Sequence, residues 1–125
     1  MPNEIPEDLQ EFMKKYINSI SLLEVLLMFK RDPERSWSAN NISTEMRTNP
    51  SYASAQIAEL VTLKLVVPAT SDEAYRFNTD SPHSLVIAEL EELYINRRPT
   101  IINFIYSPPI DSIRSFADAF KIKKD

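Results

Sequence analysis

From Pro6 onward the apolar residues Leu9, Phe12, Met13, Tyr16, Ile17 and Ile20 return every three or four positions, with Glu7, Asp8, Glu11, Lys14 and Lys15 between them. That period is that of an amphipathic helix, and acids at its start with lysines further on complement the helix dipole. The next segment, Ser21 to Lys30, is apolar on nearly all sides, which predicts a central helix. It stops before Asp32-Pro33 because the residue preceding a proline disfavours helical backbone. A polar connection from Asp32 to Ser38 contains Trp37, the one tryptophan, and has room for a short strand. Ala39 to Arg47 then places Ile42 and Met46 on one face of a helix of about two turns.

Thr48-Asn49-Pro50 both breaks that helix and starts another, since Asn is a good N-cap and Pro suits the first helical position, where its missing N–H costs nothing. The new helix is predicted over Pro50 to Leu63, with Ala53, Ile57, Leu60 and Val61 inward and Ser51, Tyr52, Ser54, Ala55 and Glu59 outward. Leu65-Val66-Val67 and Ala74 to Asn78 flank the polar stretch Pro68 to Glu73, the pattern of a small β-hairpin. Ser81-Pro82 is a second cap-plus-proline start, for a helix through Asn96 with Leu85, Val86, Leu90, Leu93 and Tyr94 as its apolar stripe. Arg97-Arg98-Pro99 kinks or restarts it, Ile101 to Tyr106 continues to Pro108-Pro109, and Asp111 to Phe120 reads as a last helix before the basic tail Lys121, Lys123 and Lys124.

Composition narrows the function classes. The 125 residues, 43% hydrophobic and 26% charged, fit a single folded, soluble domain, and the predicted elements make it mainly α (α+β). The chain has no cysteine, which excludes disulfides, thiolate metal sites and a cysteine nucleophile. It also has no glycine, and phosphate-cradling loops and the nucleophile elbow need residues without a Cβ. The acidic N-terminus lacks the pattern of a secretory signal, and the longest apolar run, Ile20 to Phe29, is too short to cross a bilayer. A cytoplasmic, non-membrane protein is the expectation. His83 is the single histidine and has no neighbouring acid, and the carboxylates Glu89, Glu91, Glu92, Asp72 and Glu73 show no metal-loop spacing. No catalytic residue, metal or cofactor is expected.

The order helix, helix, strand, short helix, three-residue turn, helix, hairpin resembles the winged helix-turn-helix domain. The stretch Ala39 to Val66 carries the resemblance, through Ile42, Met46, Asn49-Pro50 and the run Ala53, Ile57, Leu60, Leu63, Leu65, Val66. With helices added at both ends the plan looks like small bacterial regulators of the MarR or PadR kind, and the tail Ile105 to Asp125 like that of uncharacterised bacterial winged-helix proteins. On that likeness residues 19–80 form the core, the hairpin is the wing, and 1–18 and 81–125 are helical extensions that build a homodimer. The apolar side chains of Leu9, Phe12, Met13, Tyr16 and the segment Leu85 to Ile105 are the expected dimer surface.

The resemblance implies a transcriptional regulator. Ser51, Tyr52, Ser54 and Gln56 would lie near base edges or phosphates in the major groove, with Arg47, Lys64 and Arg76 as the local bases. Two features depart from the pattern. Lys64 stands where a glycine usually closes the recognition helix, so it must turn left-handed or end the helix differently. Between Glu34 and Asp80 there are four bases (Arg35, Arg47, Lys64, Arg76) against six acids (Glu34, Glu45, Glu59, Asp72, Glu73, Asp80), whereas a DNA footprint should be positive. The alternative is therefore a winged-helix protein-interaction module that does not bind DNA, with Tyr52 as an apolar anchor. Arg97-Arg98 and the tail lysines would either touch phosphates or serve as solvated helix ends. A ligand pocket lined by Trp37, Phe77, Tyr75 or Phe104 would suit an effector-sensing regulator.

Overall fold

A computed structural model describes residues 5–69 and 73–106. Within them the elements run α1 (Glu7–Tyr16), α2 (Ile20–Arg31), β1 (Trp37–Ser38), α3 (Ala39–Met46), α4 (Pro50–Thr62), β2 (Val66–Pro68), β3 (Ala74–Phe77), α5 (Ser84–Asn96) and α6 (Arg98–Tyr106). The fold is mainly helical with one small antiparallel sheet in the order β1-β3-β2. The expected last helix over Asp111 to Phe120, the lysine tail and the tip of the hairpin lie outside the described residues.

Ile20 falls in α2 rather than in the first amphipathic stripe. The Ser19 hydroxyl accepts the Leu22 N–H at 3.1 Å and so begins a new helix there. α2 then buries Leu22, Leu23, Val25, Leu26, Leu27 and Phe29, as its all-round apolar pattern requires. Each such large side chain contributes about 1.5–3 kcal/mol by leaving water. α4 and α5 pack on α2, α3 on α4, and α1 on α5. Leu9, Phe12 and Met13 of α1 are thereby buried in the chain's own core, so they do not form the exposed dimer surface expected of them.

α5 departs from expectation in two ways. Its N-cap is His83, not Ser81, because the buried Ser81 uses its hydroxyl to accept the His83 N–H at 3.1 Å and its carbonyl to hold Ser84. Of the expected stripe Leu90 and Tyr94 are buried and Val86 and Leu93 pack against the core, whereas Leu85 is 84% exposed and Ile87 is buried in its place. At Arg97-Arg98-Pro99 the helix restarts as α6, with Arg97 in non-helical backbone and Ile101 buried. Lys30 of α2 reaches Glu91 of α5 at 3.1 Å, and the Tyr94 hydroxyl donates to Glu24 Oε2 at 2.8 Å. These two polar ties fix α5 along α2. No helix among the described residues is long and apolar enough to cross a membrane.

Candidate functional site

α3 and α4 are joined by Arg47-Thr48-Asn49, and both ends of this connection follow from local chemistry. Ser38 and Asn41 form a reciprocal capping box at the start of α3. At its far end Arg47 takes φ 57° and ψ 48°, and the N–H groups of Thr48 and Arg47 bond the carbonyls of Ser43 and Thr44 at 2.9 and 3.3 Å. That pair of bonds is a Schellman stop. Asn49 Oδ1 then accepts the Tyr52 N–H at 2.8 Å and Pro50 occupies the first turn, so α4 starts abruptly.

The end of α4 repeats the device. Lys64 takes φ 63°, its N–H bonds the Val61 carbonyl at 2.9 Å, and Leu65 N–H bonds the Leu60 carbonyl at 3.0 Å. Leu60 and Leu65, the two residues so joined, are both fully buried, which supplies the hydrophobic contact of that motif. Lys64 thus adopts the left-handed conformation in place of a glycine, and the Asn78 side-chain amide donates to its carbonyl at 2.9 Å. The chain continues into β2, which pairs with β3 in the register Val66↔Phe77, Val67↔Arg76 and Pro68↔Tyr75. β3 also carries β1 on its other edge, Trp37↔Tyr75 and Ser38↔Ala74, so the hairpin is anchored to the chain just before α3.

α4 buries Ala53, Ile57 and Leu60 and leaves its opposite face in solvent. Ser51, Tyr52 and Ser54 are exposed there, as predicted, and Tyr52 is 42% accessible. Gln56 is only half-buried rather than fully presented, because it lies beside Ile57 at the edge of the packed face. Val61 is likewise at the margin rather than in the core. Arg47 and Lys64 are exposed just beyond the two ends of α4, a 13-residue helix about 20 Å long. Arg76 is exposed on the strand face opposite the buried Phe77. None of the three makes an ion pair among the described residues. The exposed α4 face itself holds no base, and Glu59 is exposed on it.

His83 packs its ring against Phe12 and Tyr16, with centroids 5.3 and 5.2 Å away, and so ties α5's start to α1. Of the four aromatic residues expected to line a ligand pocket, Trp37 borders a groove of about 700 Å³ among the described residues, whereas Phe77, Tyr75 and Phe104 do not. Phe77 is spent on the core and Tyr75 and Phe104 pack against it. The residues that sequence reasoning missed are Arg31 and Arg35, which the fold brings to that groove beside Arg47 and Arg98. Four separate segments supply them, so no local pattern announces the grouping. Comparison with family models, curated proteins and solved structures yields no match for this chain.

Proposed function

We propose that the chain is a winged helix-turn-helix protein that acts as a transcriptional regulator by binding duplex DNA, with α4 in the major groove and β2–β3 as the wing along the backbone. One observation carries this reading: α4 projects a polar, solvent-facing side between two left-handed cap residues that are both cations, Arg47 and Lys64. A left-handed cap needs no particular side chain, and glycine is the residue of least strain there. Cations at both positions, with Arg76 on the adjoining strand, give α4 a phosphate contact at each end and one on the wing. Ser51, Tyr52, Ser54 and Gln56 then stand nearest the bases, where short hydroxyls and a phenol give modest sequence discrimination. The protein works in the cytoplasm as a homodimer, two copies of α4 meeting half-sites about one helical turn apart.

A second reading draws on a specific observation, the exposed Tyr52 on a helix face that has Glu59 and no base. In that reading the face docks a protein partner with Tyr52 as anchor, and Arg47, Lys64 and Arg76 are solvated. Fluorescence anisotropy with labelled genomic duplex fragments separates the two. The DNA reading expects micromolar or tighter binding that added salt and the Arg47→Ala/Arg76→Ala variant both weaken. Absence of duplex binding at low salt would remove it in favour of the interaction module.

A further inference from the structure

A groove of about 700 Å³ runs between α2, the loop before β1, the end of α3, the last turns of α5 and the start of α6. Its size falls within the range of small-molecule sites. Leu27, Met28, Trp37, Met46, Tyr94 and Ile95 supply its apolar wall, and Ile95 is 72% exposed there. Four guanidiniums border it, from Arg31, Arg35, Arg47 and Arg98, each on a different segment.

Two of the guanidiniums are held by rings. Arg35 lies over the Trp37 ring at 3.6 Å and Arg98 over the Tyr94 ring at 4.7 Å, so each is backed by an aromatic face with its N–H donors left available at the edge. None of the four makes an ion pair among the described residues. The groove's carboxylates are differently placed. Glu91 is ion-paired with Lys30 at 3.1 Å and Glu24 accepts from the Tyr94 hydroxyl at 2.8 Å, so Glu24, Asp32 and Glu45 stand against the four arginines and the lining keeps an excess of positive charge. Trp37 adds a further polar group: its indole N–H is buried and finds no acceptor among the described residues.

We propose that this groove binds a small organic anion, a carboxylate on an apolar body, with Arg35 and Arg98 gripping the head group and the Met28, Trp37, Met46 and Ile95 side chains covering the body. Charge complementarity commits the occupant: an apolar wall alone would take neutral molecules, whereas planar guanidiniums backed by rings favour bidentate capture of a carboxylate. The inference does not depend on DNA binding, because Arg31, Arg35 and Arg98 lie off the exposed face of α4.

The single tryptophan stands in the wall, so occupancy can be read from Trp37 emission. The probe is anilinonaphthalene sulfonate, an apolar anion that accepts energy from excited tryptophan. Titrated into the full chain, it should quench Trp37 saturably, decanoate should displace it, and decanol at equal concentration should not. Arg35→Gln/Arg98→Gln should weaken the probe about tenfold or more, the loss of charge-assisted hydrogen bonds to two guanidiniums. Equal displacement by decanol and decanoate, an unchanged affinity in the double variant, or no saturable quenching would each overturn the proposal. The decanoate and decanol comparison uses the unmodified protein, so it stands even where the variant misfolds.

Discussion

Arg47, Lys64 and Glu73 hold φ of 57°, 63° and 58° in a chain that has no glycine to place there. For a residue with a Cβ the left-handed region costs about 1–2 kcal/mol, partly offset because glycine loses more backbone freedom on folding. Lys64→Gly should therefore raise stability by up to about 1 kcal/mol, whereas Lys64→Val should lower it by more than that, both read from urea denaturation midpoints. The sequence already posed this choice at Lys64, since the helix had to stop before the buried Leu65 and no glycine was available. At Arg47 no such signal stood out, because the same left-handed stop was hidden by counting that residue as helical.

Tyr94 is a second residue whose environment has a measurable consequence. Burial, with the hydrogen bond to Glu24 behind it, pushes its phenol from 10.0 up to about 12. The folded state thus holds this proton more tightly than the unfolded chain, so the contribution is complete below pH 10 and is lost as pH rises from 10 through 12. Wild type should lose stability relative to Tyr94→Phe across that window, with the gap between the two narrowing from about 1.5–3 kcal/mol at pH 8, the worth of a hydrogen bond to a charged group. Denaturation at pH 8 and pH 11.5 measures it; a constant gap would contradict the assignment.

At the scale of elements, the strongest local devices are the caps around the α3–α4 connection. Asn49→Ala removes the acceptor of the Tyr52 N–H and should cost about 1 kcal/mol, while Asn49→Asp should hold most of it, again by urea denaturation. The Asn49-Pro50 start was legible in the sequence because the cap is made within three residues, whereas the Ser38–Asn41 box and the left-handed stop at Arg47 were not read from it. The α5 stripe was legible only in part. Ser81-Pro82 has the form of a helix start, yet the buried Ser81 spends its hydroxyl on a turn and the helix begins later, while the packing of α5 on α1 and α2 buries Ile87 and leaves Leu85 outside. Periodicity fixes the spacing of an apolar stripe but not which of two adjacent stripes the neighbouring helices cover.

For the whole molecule, the order of helices and the hairpin could be read from pattern and turn chemistry, and α2 announced itself as the centre by being apolar all round. The burial of α1 against α5 could not be told from a dimer surface, because the same apolar face serves either use. The grouping of Arg31, Arg35, Arg47 and Arg98 was invisible for a different reason: only the tertiary fold brings the end of α2, the loop before β1, the end of α3 and the start of α6 to one groove. The exposure of Ser51, Tyr52 and Ser54 on α4 followed from its periodicity, and the three bases Arg47, Lys64 and Arg76 could be named from the sequence, but their placement around α4 depends on the two left-handed turns and the strand register.

The claim that α4 and its flanking cations meet DNA is tested most directly by the salt dependence of duplex binding. Each neutralised phosphate contributes about −0.9 to the slope of log K against log salt, so Arg47, Lys64 and Arg76 together predict about −2.7 per copy. Arg47→Ala/Arg76→Ala should reduce that slope by about 1.8 per copy. A shallow slope that the double variant leaves unchanged, or no binding at low salt, would contradict the account and move the function of this surface to a protein partner.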